Sequence, residues 1–255
     1  MLEIKLRRRD DLSPACETSS VIRVHMLRNR VARTLSAVAL GLGNSRECPL
    51  CGWTGRRFLT QPNPRQPRRD AVCPQCGSTE RQRLARLLVD IGHPDYTLHV
   101  APDGVAGWLR SASVDYLSVD LYAPAMRKAD VTDLPFEDQT FDLIWCSHVL
   151  EHVEQDRQAM RELHRVLKPG GLAIVQVPIW REATFEDPTI TTPEERSAVF
   201  YQSDHVRLYG LDIVQRLQQA GFTVSTLTIR RLPVELITRH SLSHLPTNEI
   251  FVCTR

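Results

Sequence analysis

The sequence predicts an α/β fold built around a mostly parallel sheet. Short apolar runs at Tyr96–Val100, Val114–Val119 and Phe141–Cys146 have the length of buried strands, and segments with helical spacing lie around them. Asp120 follows the second run directly. Apolar runs that end in acidic residues at a regular pitch are typical of a parallel sheet with a ligand along its carboxyl edge.

Length and composition set the limits of this interpretation. A chain of 255 residues with 42% hydrophobic residues can bury one substantial core and a small module. No apolar run approaches the roughly 18 residues of a membrane-spanning helix, so we expect a soluble protein. The seven cysteines are an odd number, and four of them have metal-type spacing. A reducing, cytoplasmic setting therefore fits better than a disulfide framework.

The amino-terminal part carries the basic charge. The formal net charge is +2, but residues 1–90 hold 17 Lys and Arg against 8 Asp and Glu. Within a first segment, residues 1–45, apolar side chains from Val21 to Leu42 recur every three to four positions and predict an arginine-rich amphipathic helix. Docking on the protein's own domain or on a partner is favoured over targeting or a membrane-surface role.

Two cysteine pairs predict a structural zinc ribbon over residues 46–80. Each pair follows the pattern Cys-Pro-x-Cys-Gly, in which the glycine permits a tight turn and four thiolates can surround one zinc ion. A redox dithiol would need a thioredoxin-like strand and helix, and a catalytic zinc would need an open position, so both are disfavoured. The predicted ligands are Cys48, Cys51, Cys73 and Cys76.

Basic residues in and after this module raise the question of nucleic-acid binding. They could neutralise phosphates, but few aromatic residues accompany them, and three lie on a helix predicted from Thr79 to Asp90 with a core-facing leucine stripe. Bracing of the following domain, or shaping of its entrance, is the favoured alternative. The arginines concerned are Arg56, Arg57, Arg65, Arg68, Arg69, Arg81, Arg83 and Arg86.

Three motifs carry a family resemblance. They are the loop Asp130–Phe136, with its Asp-x-x-x-Leu-Pro-Phe pattern, the Phe141-Asp142 strand start, and the turn Lys168-Pro-Gly-Gly171. With them, roughly residues 95–255 resemble class I S-adenosylmethionine-dependent methyltransferases of the type 11-like group. The chain also resembles a smaller set of bacterial methyltransferase-like proteins with a zinc ribbon in front of this domain. The resemblance implies a Rossmann-like sheet of seven strands over residues 81–255, with a lid insertion at about 178–210.

The resemblance also implies S-adenosylmethionine as cofactor. Asp120 matches the family's acceptor for the ribose hydroxyls, and Asp130 and Val131 match its adenine-contacting pair. The first turn, residues 101–107, departs from the family's glycine-rich pattern because it keeps only two glycines and contains a proline. That turn also lacks the pattern that a nicotinamide dehydrogenase needs. The remaining expected cofactor contacts are Ala101, Asp103, Gly104, Leu121, Cys146 and Ser147.

Histidines supply the candidate catalytic bases. His148 and His152 are four residues apart after the fourth strand, so they would share a face of a helix, and Glu151 could orient one of them. An equally weighted alternative is that Glu151 and His152 only cap and brace the turn. His205 lies within the insertion, which we expect to be an ordered segment without regular structure.

Two further residues of the insertion are candidates for substrate contact. Arg207 and Tyr209 alternate with His205, as they would on an extended segment, and offer a carboxylate or phosphate clamp and a phenol. The alternative of equal weight is a loop tied back by salt bridges with a tyrosine packed in the core.

The predicted reaction is methyl transfer from S-adenosylmethionine to a small molecule. Amino methyltransferases of DNA and RNA commonly carry Asn-Pro-Pro-Tyr after the fourth strand, and this chain does not, so nucleic acid is a disfavoured substrate. The type of resemblance suggests specialised metabolism or saccharide modification. Another sulfonium reaction, such as intramolecular alkyl transfer, and a non-catalytic zinc-ribbon protein with a degenerate site are the alternatives. The oligomeric state stays open.

Overall fold

The computed structural model describes residues 43–62, 67–243 and 249–255. The amphipathic helix expected from Val21 to Leu42 lies outside these residues. The strands are β1 Arg46–Glu47, β2 Thr54–Gly55, β3 Leu59–Gln61, β4 Arg68–Val72, β5 Tyr96–Val100, β6 Asp115–Asp120, β7 Arg127–Lys128, β8 Phe141–Ser147, β9 Leu167–Gln176, β10 Ile179–Arg181, β11 Phe185–Glu186, β12 Arg207–Gly210, β13 Thr223–Leu227 and β14 Ile250–Thr254. The α-helices are α1 Glu80–Leu88, α2 Ala106–Ala112, α3 Asp156–Val166, α4 Pro193–Val199, α5 Ile213–Gln219 and α6 Val234–Arg239.

A sheet of seven strands forms the main body, and it confirms the predicted Rossmann-like α/β fold. Its order is β13-β14-β9-β8-β5-β6-β7. The five strands from β9 to β7 run parallel, whereas β14 pairs antiparallel with both β9 and β13. No helix in the described part of the chain combines the length and apolar character that crossing a bilayer requires.

The family motifs hold the amino ends of two neighbouring strands together. Lys168 Nζ donates to both carboxylate oxygens of Asp142, at 2.9 and 3.0 Å, and Asp142 also accepts from the Tyr96 amide. A Cβ on Gly171 would lie 2.9 Å from the Asp142 carbonyl oxygen. The turn Lys168–Gly171 lies within β9, which begins at Leu167.

The insertion at 178–210 is more regular than expected. Strands β10, β12 and β11 form a second sheet in that order, and α4 begins with a capping box in which the Glu195 amide donates to Thr192 Oγ1. The expectation of an irregular segment was wrong because two-residue and three-residue strands leave no recognisable alternation in the sequence.

Residues 46–80, here called the four-cysteine module, pack on the body of the protein through a buried arginine. The Arg83 side chain donates to the backbone oxygens of Ala71, Ser78 and His240, and its guanidinium lies 3.9 Å from the Phe58 ring centroid. Arg83 is fully buried, so it cannot neutralise a phosphate as the nucleic-acid interpretation required. The bracing alternative agrees with this contact.

Gly104 permits close contact between the module and the first turn after β5. A Cβ at this position would lie 2.8 Å from Gln82 Oε1 and 3.1 Å from Ser78 Cα. Gln82 is held in place, because its Oε1 accepts from the Thr79 amide and its Nε2 donates to Asp103 at 2.6 Å. A side chain on Gly104 would therefore push the module away from the body.

We expect Gly104→Ala to lower the free energy of unfolding by about 1–3 kcal/mol through overpacking. Gly107→Ala is the matched control, because nothing lies within 4 Å of a Cβ there and its helical position favours alanine. Urea unfolding followed by circular dichroism measures both. Equal stability of the two variants would contradict the packing role of Gly104.

Candidate functional site

The register of three parallel strands aligns the predicted cofactor residues at one edge of the sheet. Val100 pairs with Val119 on β6 and with Cys146 on β8. The next residues, Ala101, Asp120 and Ser147, therefore lie side by side where the strands end. Open α/β sheets bind ligands in the crevice outside these carboxyl ends.

Asp120 closes a short turn at this edge. Its Oδ1 accepts from the amides of Tyr122 and Ala123, at 2.7 and 2.6 Å, and its side chain remains partly exposed. Leu121 is partly exposed beside it, and the Tyr122 side chain is 93% exposed. The arrangement leaves a carboxylate and an apolar surface facing the edge of the sheet.

The loop with the expected adenine contacts is folded on itself and tied to α3. Asp130 Oδ1 accepts from the amide and the hydroxyl of Thr132, and Val131 is buried. Further along the loop, the Leu134 amide donates to Glu162, and Arg165 donates to the Leu134 carbonyl. The Leu-Pro-Phe part of the motif thus anchors the loop.

The first turn after β5 begins with a strained backbone conformation, and its acidic side chain is bonded within the protein. Ala101 has φ +50°, a left-handed conformation that glycine adopts more easily. The Asp103 carboxylate contacts His99 and Gln82. Burial by itself raises the pKa of Asp103, but these hydrogen bonds outweigh it and hold the pKa below its usual range. Its carboxylate therefore faces the protein, and a cofactor contact would have to come from the turn's backbone.

The residues that leave β8 are largely enclosed. Cys146 and Ser147 are buried, Ser147 Oγ donates to Gln176 Oε1 at 3.2 Å, and burial raises the pKa of the Cys146 thiol. His148 follows with φ +56°, a left-handed turn that directs the chain into the 3-10 helix Leu150–His152. His148 and His152 therefore do not share a face of an α-helix, as the four-residue spacing had suggested.

Glu151, His152 and His205 converge beyond this turn. One ligand-type atom from each lies within 4.8 Å of the others, and the two imidazole centroids are 4.7 Å apart. Glu151 Oε1 accepts from His148 Nδ1 at 3.0 Å. Burial by itself raises the pKa of Glu151, but the contacts with His148 outweigh it and hold this pKa low.

The two histidines of the cluster differ in exposure. Burial lowers the pKa of His205. The His152 side chain is 33% exposed, and its Nδ1 donates to the Asp204 carbonyl oxygen at 3.2 Å. The solvent side of the cluster is therefore at His152.

Arg207 and Tyr209 are buried and bonded within the protein. Arg207 donates to the backbone oxygens of Leu150, Val153 and Glu154 and to the Glu186 carboxylate. Tyr209 has no exposed surface, and its hydroxyl donates to Asp156 at 2.6 Å. This geometry favours the structural alternative for both residues over contact with substrate.

No pattern in the sequence indicates the carboxylates that complete this arrangement. Asp156 is buried and accepts from Arg216 Nη1 at 3.0 Å as well as from Tyr209, and Glu186 accepts from Arg216 and Arg207. Two acidic residues beside helices and loops are ordinary in a sequence. Asp156 and Glu186 come next to Arg207 and Arg216 only in the folded protein.

The four predicted zinc ligands meet in the four-cysteine module. Cys48 Sγ lies 3.7 Å from Cys76 Sγ, and Cys51 Sγ lies 3.6 Å from Cys73 Sγ. These distances fit a tetrahedral zinc site, whose sulfurs lie about 3.8 Å apart when each Zn–S bond is about 2.3 Å. The Gly52 and Gly77 amides donate back to the Cys48 and Cys73 carbonyl oxygens and close the two turns.

We expect Arg207→Lys to lower the free energy of unfolding by about 3 kcal/mol or more, because lysine cannot reach several carbonyl oxygens at once and leaves some of them unpaired. Arg161→Lys, on the exposed face of α3, is the control and should change stability by less than about 0.5 kcal/mol. Thermal and urea unfolding measure both. A folded Arg207→Lys protein of unchanged stability would return Arg207 to the substrate-binding hypothesis.

Comparison with known proteins supports the prediction of a methyltransferase domain. Residues 83–175 match a family model described as a methyltransferase domain. The chain is 32% identical over 177 residues to a demethylmenaquinone methyltransferase of Paenarthrobacter aurescens (strain TC1), covering 64% of each protein. It is 30% identical over 108 residues to a malonyl-[acyl-carrier protein] O-methyltransferase of Pseudescherichia vulneris, covering 36% of this chain and 43% of that protein.

A solved structure also aligns with part of the chain, at low sequence identity. An S-adenosylmethionine-dependent methyltransferase of Mesorhizobium loti aligns with 67% of this chain and 94% of its own, with a TM-score of 0.47 and 17% identity. The chain spans less than two thirds of the length of the curated relatives described above. The family model and the curated relatives support the predicted methyltransferase domain over the matched part of the chain.

Proposed function

We propose that the protein transfers the methyl group of S-adenosylmethionine to a small-molecule acceptor. The observation that carries this proposal is the position of Asp120, at the carboxyl end of the strand next to β5, inside the part of the chain that matches a methyltransferase domain. A carboxylate there can accept from both hydroxyls of a ribose, because it has two oxygens and no competing donor.

The remaining cofactor contacts follow from the same edge of the sheet. The partly exposed Leu121 and the loop at Asp130 and Val131 would enclose the adenine. The backbone from Ala101 to Gly104, and the chain at Cys146 and Ser147, would lie along the methionine part. The Gly107 position is open, so this side of the turn allows close approach of a ligand.

The acceptor would enter beside His148, His152 and His205, where the chain leaves β8. The sulfonium methyl is already activated, so much of the catalysis would come from alignment and exclusion of water. The named relatives act on a demethylmenaquinone and on a malonyl-acyl carrier protein. A demethylmenaquinone and a malonyl carboxylate therefore come first in a panel of acceptors, followed by saccharides.

The four-cysteine module would hold structural zinc. Four sulfurs at tetrahedral spacing fill the coordination of one ion and leave no position for substrate. Burial raises the pKa of the Cys51 thiol, and a bound cation would favour its ionised form. Free thiols at all six described cysteines fit a reducing compartment such as the cytoplasm.

The non-catalytic alternative has one specific observation in its favour. The first turn starts with a left-handed alanine and turns its acidic side chain into the protein. A degenerate cofactor site would show no saturable heat on titration with S-adenosylmethionine. Product mass with labelled cofactor distinguishes methyl transfer from another sulfonium reaction.

Asp120 provides a sharp test of cofactor binding. Asp120→Asn keeps an oxygen for the turn at Tyr122 and Ala123 but replaces one ribose acceptor by a donor, so we expect tenfold or weaker binding of S-adenosylmethionine at unchanged thermal stability. Asp115→Ala, at the exposed start of the same strand, is the control and should bind normally. Isothermal titration calorimetry gives the affinities. Equal affinity of Asp120→Asn and wild type would remove the ribose role.

Metal content tests the zinc proposal. We expect Cys76→Ser to lose the zinc of the module and to lower the melting temperature, because the site contributes folding energy. Cys16→Ser, which changes a cysteine outside the two pairs, should retain the metal. Elemental analysis of purified protein counts the ions. Wild-type protein without thiolate-bound metal would leave the redox interpretation in its place.

A further inference from the structure

We propose that Glu151, His152 and His205 bind a divalent first-row transition-metal ion, distinct from the zinc of the four-cysteine module. The site itself stands on the geometry of these three side chains. Its use in the reaction, as the place where an oxygen acceptor is bound and ionised, rests on the proposed methyltransferase function.

Two unpaired acceptors mark the site. Glu151 Oε2 and His205 Nδ1 are buried, and neither has a hydrogen-bond partner among the described residues. Glu151 is 1% exposed and His205 is 3% exposed. Leaving a buried polar atom unpaired costs about 1–3 kcal/mol, and more for a charged group. A positive ion between these atoms and His152 would satisfy both of them.

Two of the three ligands are also held by a second group, which leaves the atom needed for the metal unused. His148 occupies Glu151 Oε1 and leaves Oε2. The Asp204 carbonyl oxygen accepts from His152 Nδ1–H, so that Nε2 keeps its lone pair. His205 Nδ1 has no hydrogen-bond partner among the described residues. Metal-binding histidines and carboxylates are typically oriented by such outer partners, which fix the tautomer.

The ligand set favours a transition metal over magnesium or calcium. Two imidazoles and one carboxylate suit Zn²⁺, Mn²⁺, Fe²⁺ or Co²⁺, whereas Mg²⁺ and Ca²⁺ prefer oxygen ligands. The ligand atoms of the three residues lie within 4.8 Å of one another, whereas ligand atoms around a bound ion are roughly 3–3.5 Å apart. The side chains would therefore move towards one another by about 1–2 Å when an ion binds. Partial exposure of His152 lets an ion enter from solvent.

Three protein ligands leave open positions, and these define the acceptor. A hydroxyl bound there would lose its proton to solvent at near-neutral pH, as metal-bound water does. The resulting oxyanion would attack the sulfonium methyl: the new O–C bond forms as the C–S bond breaks, and sulfur keeps the electron pair as a neutral thioether. The site therefore points to an oxygen acceptor, preferably one with a second oxygen that also binds the ion.

Manganese binding tests the site apart from activity. Protein with zinc in the four-cysteine module is titrated with MnCl₂, and free Mn²⁺ is followed by its electron paramagnetic resonance signal. Thiolates select softer metals, so the module does not compete. We expect one bound Mn²⁺ per chain in the wild type, and at least tenfold weaker binding in His152→Ala and in His205→Gln. His93→Ala, an exposed histidine elsewhere, should bind as the wild type does.

The outcomes separate this inference from the proposed function. Absence of Mn²⁺ and Zn²⁺ binding beyond the module, or equal binding in all variants, overturns the metal site and leaves a buried water as the occupant. His152→Ala should fold normally because its side chain is partly exposed, so its result stands even if His205→Gln unfolds. Titration with S-adenosylmethionine runs in parallel. Loss of cofactor binding in the wild type overturns the proposed function, whereas Mn²⁺ binding alone still supports the site.

Discussion

The guanidinium of Arg207 is the contact on which the arrangement of the candidate site depends. It crosses from the second sheet to the turn after β8 and donates to the carbonyl oxygens of Leu150, Val153 and Glu154. The Val206 amide adds a bond to the Glu151 carbonyl oxygen. His205 directly precedes Val206, so its position beside Glu151 and His152 follows from these backbone bonds. Arg207, a candidate for substrate contact, thus helps to hold His205 close to Glu151 and His152.

Burial of this arginine is tolerable because its charge is balanced. Glu186 pairs with both Arg207 and Arg216, and Asp156 lies 3.0 Å from Arg216 and 3.8 Å from Arg207. An isolated buried charge would cost several kcal/mol, whereas a cluster with satisfied hydrogen bonds offsets that cost. Tyr209 contributes a donor to the same acid. The insertion is therefore anchored to α3 and α5 rather than free to swing as a whole.

Local patterns predicted the main sheet well, because its central strands are buried apolar runs. Asp120 and the four cysteines were recognisable for a similar reason, since their spacing is local. The roles of Arg83 and Arg207 stayed open between two alternatives in the sequence, because arginine is mostly exposed in proteins and nothing nearby in the sequence reveals carbonyl oxygens that lie 157 or 57 residues away. The left-handed turn at His148 likewise broke the helical spacing that paired it with His152.

The four-cysteine module and the first turn are linked by one small set of atoms. Gln82 caps α1 and also holds Asp103, while Gly104 lies against Ser78, the residue two positions after Cys76. The turn that the family uses for cofactor contact therefore has one side occupied by the module. Its glycine at 104 is explained by packing, and only Gly107 remains open. If zinc folds the module, the metal would thus also determine the shape of the proposed cofactor site. A structural zinc would then affect cofactor binding without contacting the cofactor.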